Sequence, residues 1–470
     1  MNPTRTIVTE EGWRQAIDRL AGGRLTLLSL WGDAPHVYIA LLDEPGAKIS
    51  VLSYACTDGT YPSIGVRHAP AIRLERAIRD LHKLDARGAV DTRPWLDHSG
   101  PPYAFLPSEG EGLHQIAVGP VHAGIIEPGH FRFTANGEHV VRLEQRLGYV
   151  HKGIEQLTKG ATLDTAAKLA ARTSGDSTVA FSFAFAQAAE AALQIEPPAR
   201  AIYLRALMAE LERLANHFGD IGAICNDASF AIMHAQCGIL RERTLRAAQG
   251  CFGHRLMMDV IVPGGVTRDI AAAGPAQLQA LLTEARRTFP RLIELYDNTA
   301  SLQDRTVTTG IVKPEYVRRF GAGGYVGRAS GRGFDARCTP GYAPYGDLKF
   351  EVPVLTAGDV NARVWIRIRE IEQSLALIDE ILVRLPAGGH QIAFDATGKA
   401  GEGLGLVEAF RGDVLIWLRL DESGCVARCH LRDASWFQWP LLEAAVEGNI
   451  VADFPLCNKS FNCSYSGHDT

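Results

Sequence analysis

Arg172-Thr173-Ser174-Gly175-Asp176-Ser177 sets two serine hydroxyls three residues apart around a glycine, just behind an arginine. With cysteine at both serine positions, the stretch would be half of a metal-binding signature. Soft metals need anionic thiolates, and a hydroxyl holds its proton too tightly to replace one. The nine cysteines are scattered elsewhere. Cys425 and Cys429 are the closest pair and would face one side of a strand. One pair does not make a four-ligand zinc site, so the cysteines read as reduced, buried cytoplasmic thiols.

Other chemistries find no frame. There is no Gly-x-Ser-x-Gly elbow and no His-Glu-x-x-His. The glycine-rich stretch 321–335 does not fit a dinucleotide fingerprint, and 398–405 has a lysine but no P-loop order. Both read as loop turns, so any nicotinamide chemistry sits on another chain. Arg318, Arg319, Arg328, Arg332 and Arg337 make the first stretch basic. It reads as a solvated loop, or as a contact surface for an acidic partner. Glu212 and His217 read as helix-surface or satisfied core groups.

These residues need elements to hold them. Residues 24–33, 36–44 and 47–56 read as strands, short and apolar. Thr9 caps a helix from Glu10 with acids in its first turn. Residues 69–88 read as a second helix ending near Gly88. The Pro/Gly/Ser-rich stretch 97–112 reads as a linker. A β-rich part follows, with a hairpin turn at Asn136-Gly137. From about 155 the pattern is helical. Val364, Ile368, Ile371, Leu375, Ile378, Leu382 and Leu385 alternate spacings of four and three, the stripe of a long core helix in a bundle, with Asp359 as its cap. From about 388 the chain reads as strands and loops.

The 470 residues exceed one ordinary domain. A net charge of −5 argues against a nucleic-acid partner. The opening MNPTRTIVTEEGW has no apolar core of a signal peptide, and no run of about 18 apolar residues would span a membrane.

Seven blocks in order carry a family resemblance: 119–133, 146–157, 204–223, 262–269, 327–337, 405–413 and 449–461. Through them the chain resembles the fused large subunit of energy-converting, membrane-bound [NiFe]-hydrogenases of the formate hydrogenlyase type. It equally resembles the matching pair of peripheral-arm subunits of respiratory complex I. Residues 75–93 are similar to the smaller complex I subunit. The resemblance implies an α+β fold in three parts. These are an N-terminal α/β domain like the complex I 30 kDa subunit (1–98), a linker (99–112), and a large mainly helical-bundle domain with flanking β structure (113–470), like the 49 kDa subunit or hydrogenase large subunit.

In the hydrogenases two Cys-x-x-Cys pairs hold nickel and iron. The resemblance places these pairs at Ser174 and Ser177, and near Ser464 and Gly467, with Cys463 one place out of frame. It therefore implies that all four nickel–iron cysteines are missing and that this chain holds no metal. The quinone-binding histidine and tyrosine of complex I fall on Ile126 and Gly175, while His122 matches the earlier histidine of the same turn. Glu127 matches the hydrogenase proton-relay glutamate, Arg411 the arginine over the metal pocket, and Asp227 the aspartate beneath the quinone histidine. His217 and Lys152 match groups beside a [4Fe-4S] cluster held by a partner. The implied site therefore assigns catalysis to Glu127, Arg411 and Asp227. It assigns cofactor contact to His122, Lys152, His217, Ser174, Ser177 and Ser464.

The implied function is a peripheral subunit on the cytoplasmic side of the inner membrane. It would pass electrons from a small iron–sulfur subunit to a quinone-like acceptor, coupled to ion movement through membrane subunits. The alternative is a degenerate structural or gating subunit with no redox chemistry of its own.

Overall fold

A computed structural model describes residues 5–124 and 126–470; Ile125, inside the 119–133 block, and the first four residues of the opening stretch lie outside the described residues. The fold is mixed α+β. Thr26–Asp33, His36–Asp43 and Lys48–Ala55 form an antiparallel sheet, and Arg5–Val8 adds in parallel on the outer edge of Lys48–Ala55. The Thr9 hydroxyl accepts from Gly12 N at the start of helix Glu10–Ala21, as the sequence suggests. The second helix, Ile72–His82, stops earlier than Gly88. Lys83 turns left-handed, and Asp85–Arg87 leaves to pair with Thr60–Pro62.

Both faces of this first sheet are buried, because alternate side chains point to opposite sides. Leu30, Val37, Ile39 and Leu41 pack with Trp13, Ile17, Leu74 and Ile78 of the two helices. Leu28, Tyr38, Ala40 and Leu42 pack with Leu404, Leu406, Leu415 and Trp417 of a C-terminal sheet, Gly401–Ala409, Gly412–Leu420 and Val426–Arg432. Polar groups cross this junction too. Ser29 Oγ lies 2.7 Å from His430 Nε2, His430 Nδ1 lies 2.7 Å from Glu155 Oε1, and Trp31 stacks on the imidazole.

Gly401, Gly403 and Gly405 sit in a strand, where the sequence suggested loop turns. The helix Thr178–Leu193 lies directly on them. A Cβ at Gly403 would come within 2.0 Å of the Ala188 carbonyl oxygen, so side chains there would push the helix off the sheet.

The bundle comprises Thr178–Leu193, Ala199–Asp227, Ala231–Phe252, Gly274–Asn298 and Val360–Arg384. Five of the seven stripe residues on the last helix, Val364 to Ile378, are buried; Leu382 and Leu385 at its C-terminal end are half-buried. Asp359 caps that helix: one carboxylate oxygen accepts from Ala362 N at 2.7 Å, the other from Thr308 N at 2.8 Å. Asp359→Ala should therefore destabilise the protein by about 1–2 kcal/mol, read as a lower midpoint in denaturant.

The end of the chain is more helical than expected, with Ser435–Val446 and Phe454–Phe461 following the C-terminal sheet. The bulky run Trp436, Phe437, Trp439, Leu441, Leu442 is buried on nearly every side, so no amphipathic period marked it in the sequence. The 321–335 stretch is likewise not a solvated loop. It contains a helical turn, Gly324–Ala329, and Arg328, Arg332 and Arg337 are buried among carboxylates; only Arg318 and Arg319 are exposed.

Candidate functional site

Ser174 ends an extended connection after the helix Leu163–Ala171, and Ser177 stands at the start of Thr178–Leu193. Ser464 comes from the far end of the chain and caps the last helical turn, its hydroxyl accepting from Gly467 N at 2.8 Å. The fold brings these ends together: Ser464 Oγ lies 3.2 Å from Ser174 Oγ.

The centre of the cluster is Asp176, the residue between the two serines. Arg411 reaches it from the turn between the strands Gly401–Ala409 and Gly412–Leu420. Its Nη1 and Nη2 donate to the two carboxylate oxygens at 2.9 and 2.5 Å. Ser174 Oγ donates to Asp176 at 2.6 Å, and Ser177 Oγ accepts from Arg411 Nη1 at 3.1 Å. Arg411 Nε donates to the Asn462 carbonyl at 2.5 Å. Asn462 Nδ2 donates to Asp220, which pairs with Arg367 at 3.0 Å. Crowding by protein atoms alone would raise the Asp176 pKa, but the Arg411 guanidinium and the two hydroxyls carry it down to about 2. Because 36% of its side chain stays accessible, solvent screens part of that attraction.

This donor set does not fit a nickel–iron centre. Its hydroxyls are committed to one another and to an ion pair, and the fourth position is a glycine without a side chain. Among the described residues no cluster of three or more His, Cys, Asp or Glu could hold a metal ion.

Glu127 does not join Arg411. It sits exposed at the rim, where Oε2 accepts from Ser466 N at 3.1 Å. The loop carrying it closes through Gly129 N donating to Pro120 O. The same loop carries His122 beside Phe131 and Tyr465, with Nδ1 3.3 Å from Pro120 O. Its other ring nitrogen, Nε2, is buried and has no partner among the described residues. Lys152 is exposed and donates to the carbonyls of Arg172 and Thr173 at 2.8 and 3.0 Å, fixing the segment that leads into Ser174. Desolvation lowers its pKa, against the pull of Glu127.

His217 lies in the core, Nε2 2.6 Å from Glu370 Oε2, rather than on the surface. Desolvation lowers its pKa while Glu370 opposes the shift. Glu370 also holds Arg328 at 2.8 Å, which pairs with Asp335 and Glu408. Burial and the nearby Asp335 charge raise Glu408 to about 7. Asp227 is not part of this assembly. It ends the helix Ala199–Asp227, seven residues and about 10 Å beyond Asp220. Burial raises its pKa, with Lys459 pulling the other way.

Sequence reasoning found the serines and Arg411 but missed Asp176, Asp220, Asn462 and Glu370. Asp176 carried a signal, a carboxylate framed by two hydroxyls. The others are ordinary polar residues whose role exists only once distant segments meet.

Residues 229–397 match the family model described as the respiratory-chain NADH dehydrogenase 49 kDa subunit. The chain is 30% identical to formate hydrogenlyase subunit 5 of Escherichia coli K12, over 92% of this chain and 81% of the relative. It is 31% identical to a NADH-quinone oxidoreductase subunit of Roseiflexus sp. RS-1, over 72% of this chain and 94% of the relative. Among solved structures, the fold resembles a chain of the archaeal membrane-bound sulfane sulfur reductase. The TM-score is 0.72 at 24% identity, covering 77% of this chain and 99% of that one.

Proposed function

Because the chain belongs to the family that joins the NADH dehydrogenase 49 kDa subunit with membrane-bound hydrogenase large subunits, we propose that it is the large peripheral subunit of a membrane-bound, complex I-like oxidoreductase. In this reading residues 1–98 act as the 30 kDa-like unit, 99–112 as linker and 113–470 as the large-subunit unit. No helix among the described residues is long and apolar enough to cross a membrane. In this reading attachment runs through membrane ion-translocating subunits, on the cytoplasmic side. A small iron–sulfur subunit supplies electrons from its [4Fe-4S] cluster to a quinone-like acceptor, and with serine or glycine at the four matched cysteine positions this reading assigns the chain no hydrogenase chemistry.

One contrast supports this reading. The side chains where the hydrogenases hold metal are tied to each other, whereas His122 Nε2, on the neighbouring loop, has no partner among the described residues. An acceptor therefore binds at the loop. With Nδ1–H donated to Pro120 O, neutral His122 keeps a lone pair on Nε2. The imidazolium form can deliver a proton from Nε2 to a quinone oxygen. Conversion of a quinone to a quinol takes two electrons, which the partner's cluster would supply, and two protons, one from His122 Nε2 and one that Glu127 would relay from solvent.

In the purified native complex, Glu127→Gln and His122→Phe should each reduce quinone-reductase turnover about a hundredfold with the complex fully assembled. Wild-type turnover in both variants would overturn the reading. The closed serine network favours a second reading, the gating subunit. In that case both variants keep wild-type electron transfer, while Asp176→Asn uncouples ion movement from it.

A further inference from the structure

A cleft of about 410 Å³ lies away from the serine network, between the helix Ile72–His82, the 91–106 segment, the strand His139–Arg146 and the helix Ser435–Val446. That volume is in the range of small-molecule sites. Its wall is aromatic and cationic: Arg73 and Arg76 lie over the Trp95 ring at 4.7 and 4.6 Å, and Arg93 over Tyr103 at 5.0 Å. These guanidiniums are already neutralised. Arg73 pairs with Glu443 at 2.6 Å, Arg76 with Asp91 at 3.0 Å and Arg93 with Glu144 at 2.6 Å. Arg142, which also lines the cleft, donates to the Leu106 and Pro107 carbonyls, and Glu447 stands exposed at the edge, so the inner wall offers flat, polarised surface with its guanidiniums already engaged, which suits an uncharged aromatic ring.

Gln145 supplies the polar contact. It lines the cleft and is only 1% exposed. Its Oε1 accepts from Arg73 Nη1 at 3.3 Å and its backbone N–H donates to Glu443 at 2.8 Å. Its Nε2 has no partner among the described residues. A buried amide N–H₂ without an acceptor is costly and rare. We propose that this cleft is a binding site for a small, uncharged aromatic molecule bearing a carbonyl oxygen, the oxygen accepting from Gln145 Nε2 and the ring lying against Tyr103 and Phe320. It joins the first unit to the C-terminal helices, so a bound molecule bridges the two parts of the chain. The proposal does not depend on the acceptor site assigned to His122.

The test uses benzamide as probe, by saturation-transfer NMR on the native complex. Benzamide should bind with a dissociation constant on the order of 1 mM. Gln145→Leu should weaken it at least tenfold. Leu106→Trp, at an exposed rim position that leaves the fold untouched, should block it. Absence of binding to the wild type overturns the proposal, and so does binding that survives either substitution.

Discussion

Glu370→Ala is expected to remove about 3–5 kcal/mol of stability. Glu370 is buried and faces two guanidiniums, Arg328 at 2.8 Å and Arg213 at 3.7 Å, and the imidazole of His217 at 2.6 Å. Burial alone would hold its carboxyl protonated, but those neighbours keep it well below the usual carboxylate range. The cluster contains four carboxylates, Glu210, Asp335, Glu370 and Glu408, against three arginines, Arg213, Arg328 and Arg337. The raised pKa of Glu408, about 7, fits that imbalance, since one carboxylate must hold a proton for the cluster to be neutral. Because the folded pKa of Glu408 is raised, the folded state binds its proton more tightly than the unfolded state. Stability from this group therefore falls as pH rises from the ordinary carboxylate value towards 7. Removing Glu370 takes away the partner of two guanidiniums and an imidazole. Urea unfolding at neutral pH measures the loss; a change below about 1 kcal/mol would mean the cluster rearranges around the gap.

Asp176→Ala should cost about 2–3 kcal/mol, less than a fully enclosed pair because solvent reaches one side of Asp176. The loss comes from Arg411, whose side chain is only 4% exposed and would keep just the Asn462 carbonyl and Ser177 as partners. The effect has a pH signature. The folded pKa of Asp176 is depressed to about 2, so the pair stabilises fully above the ordinary aspartate value and loses its contribution as pH falls from there towards 2. Wild type and Asp176→Ala should therefore converge in stability on acidification. Curves that stay parallel down to pH 2 would show that the ion pair contributes nothing.

Much of the fold was legible because it is written locally. The Thr9 and Asp359 caps, the Asn136-Gly137 hairpin and the stripe on Val360–Arg384 each depend on residues a few positions apart. What failed depends on tertiary contact. Gly401, Gly403 and Gly405 look like a flexible loop until a helix is laid across them. Arg328 and Arg337 look solvated until Glu210, Glu370 and Glu408, from three distant segments, surround them. The site divides the same way. Ser174, Ser177 and Ser464 were found by frame and do meet, but the carboxylate that meets Arg411 is Asp176, while Glu127 stands at the rim. Asp227, assigned through the resemblance, ends its helix about 10 Å beyond Asp220, because a position along a helix fixes distance as well as direction.

The acceptor site proposed at His122 requires the serine cluster to be a closed polar network and no metal centre. The most direct test is elemental analysis of the native complex by inductively coupled plasma mass spectrometry, with nickel and iron expressed per copy of this chain. Iron is expected in the amounts that the partner's clusters require, and nickel far below one atom per chain. One nickel per chain, retained through purification and lost in Asp176→Ala, would contradict the closed network.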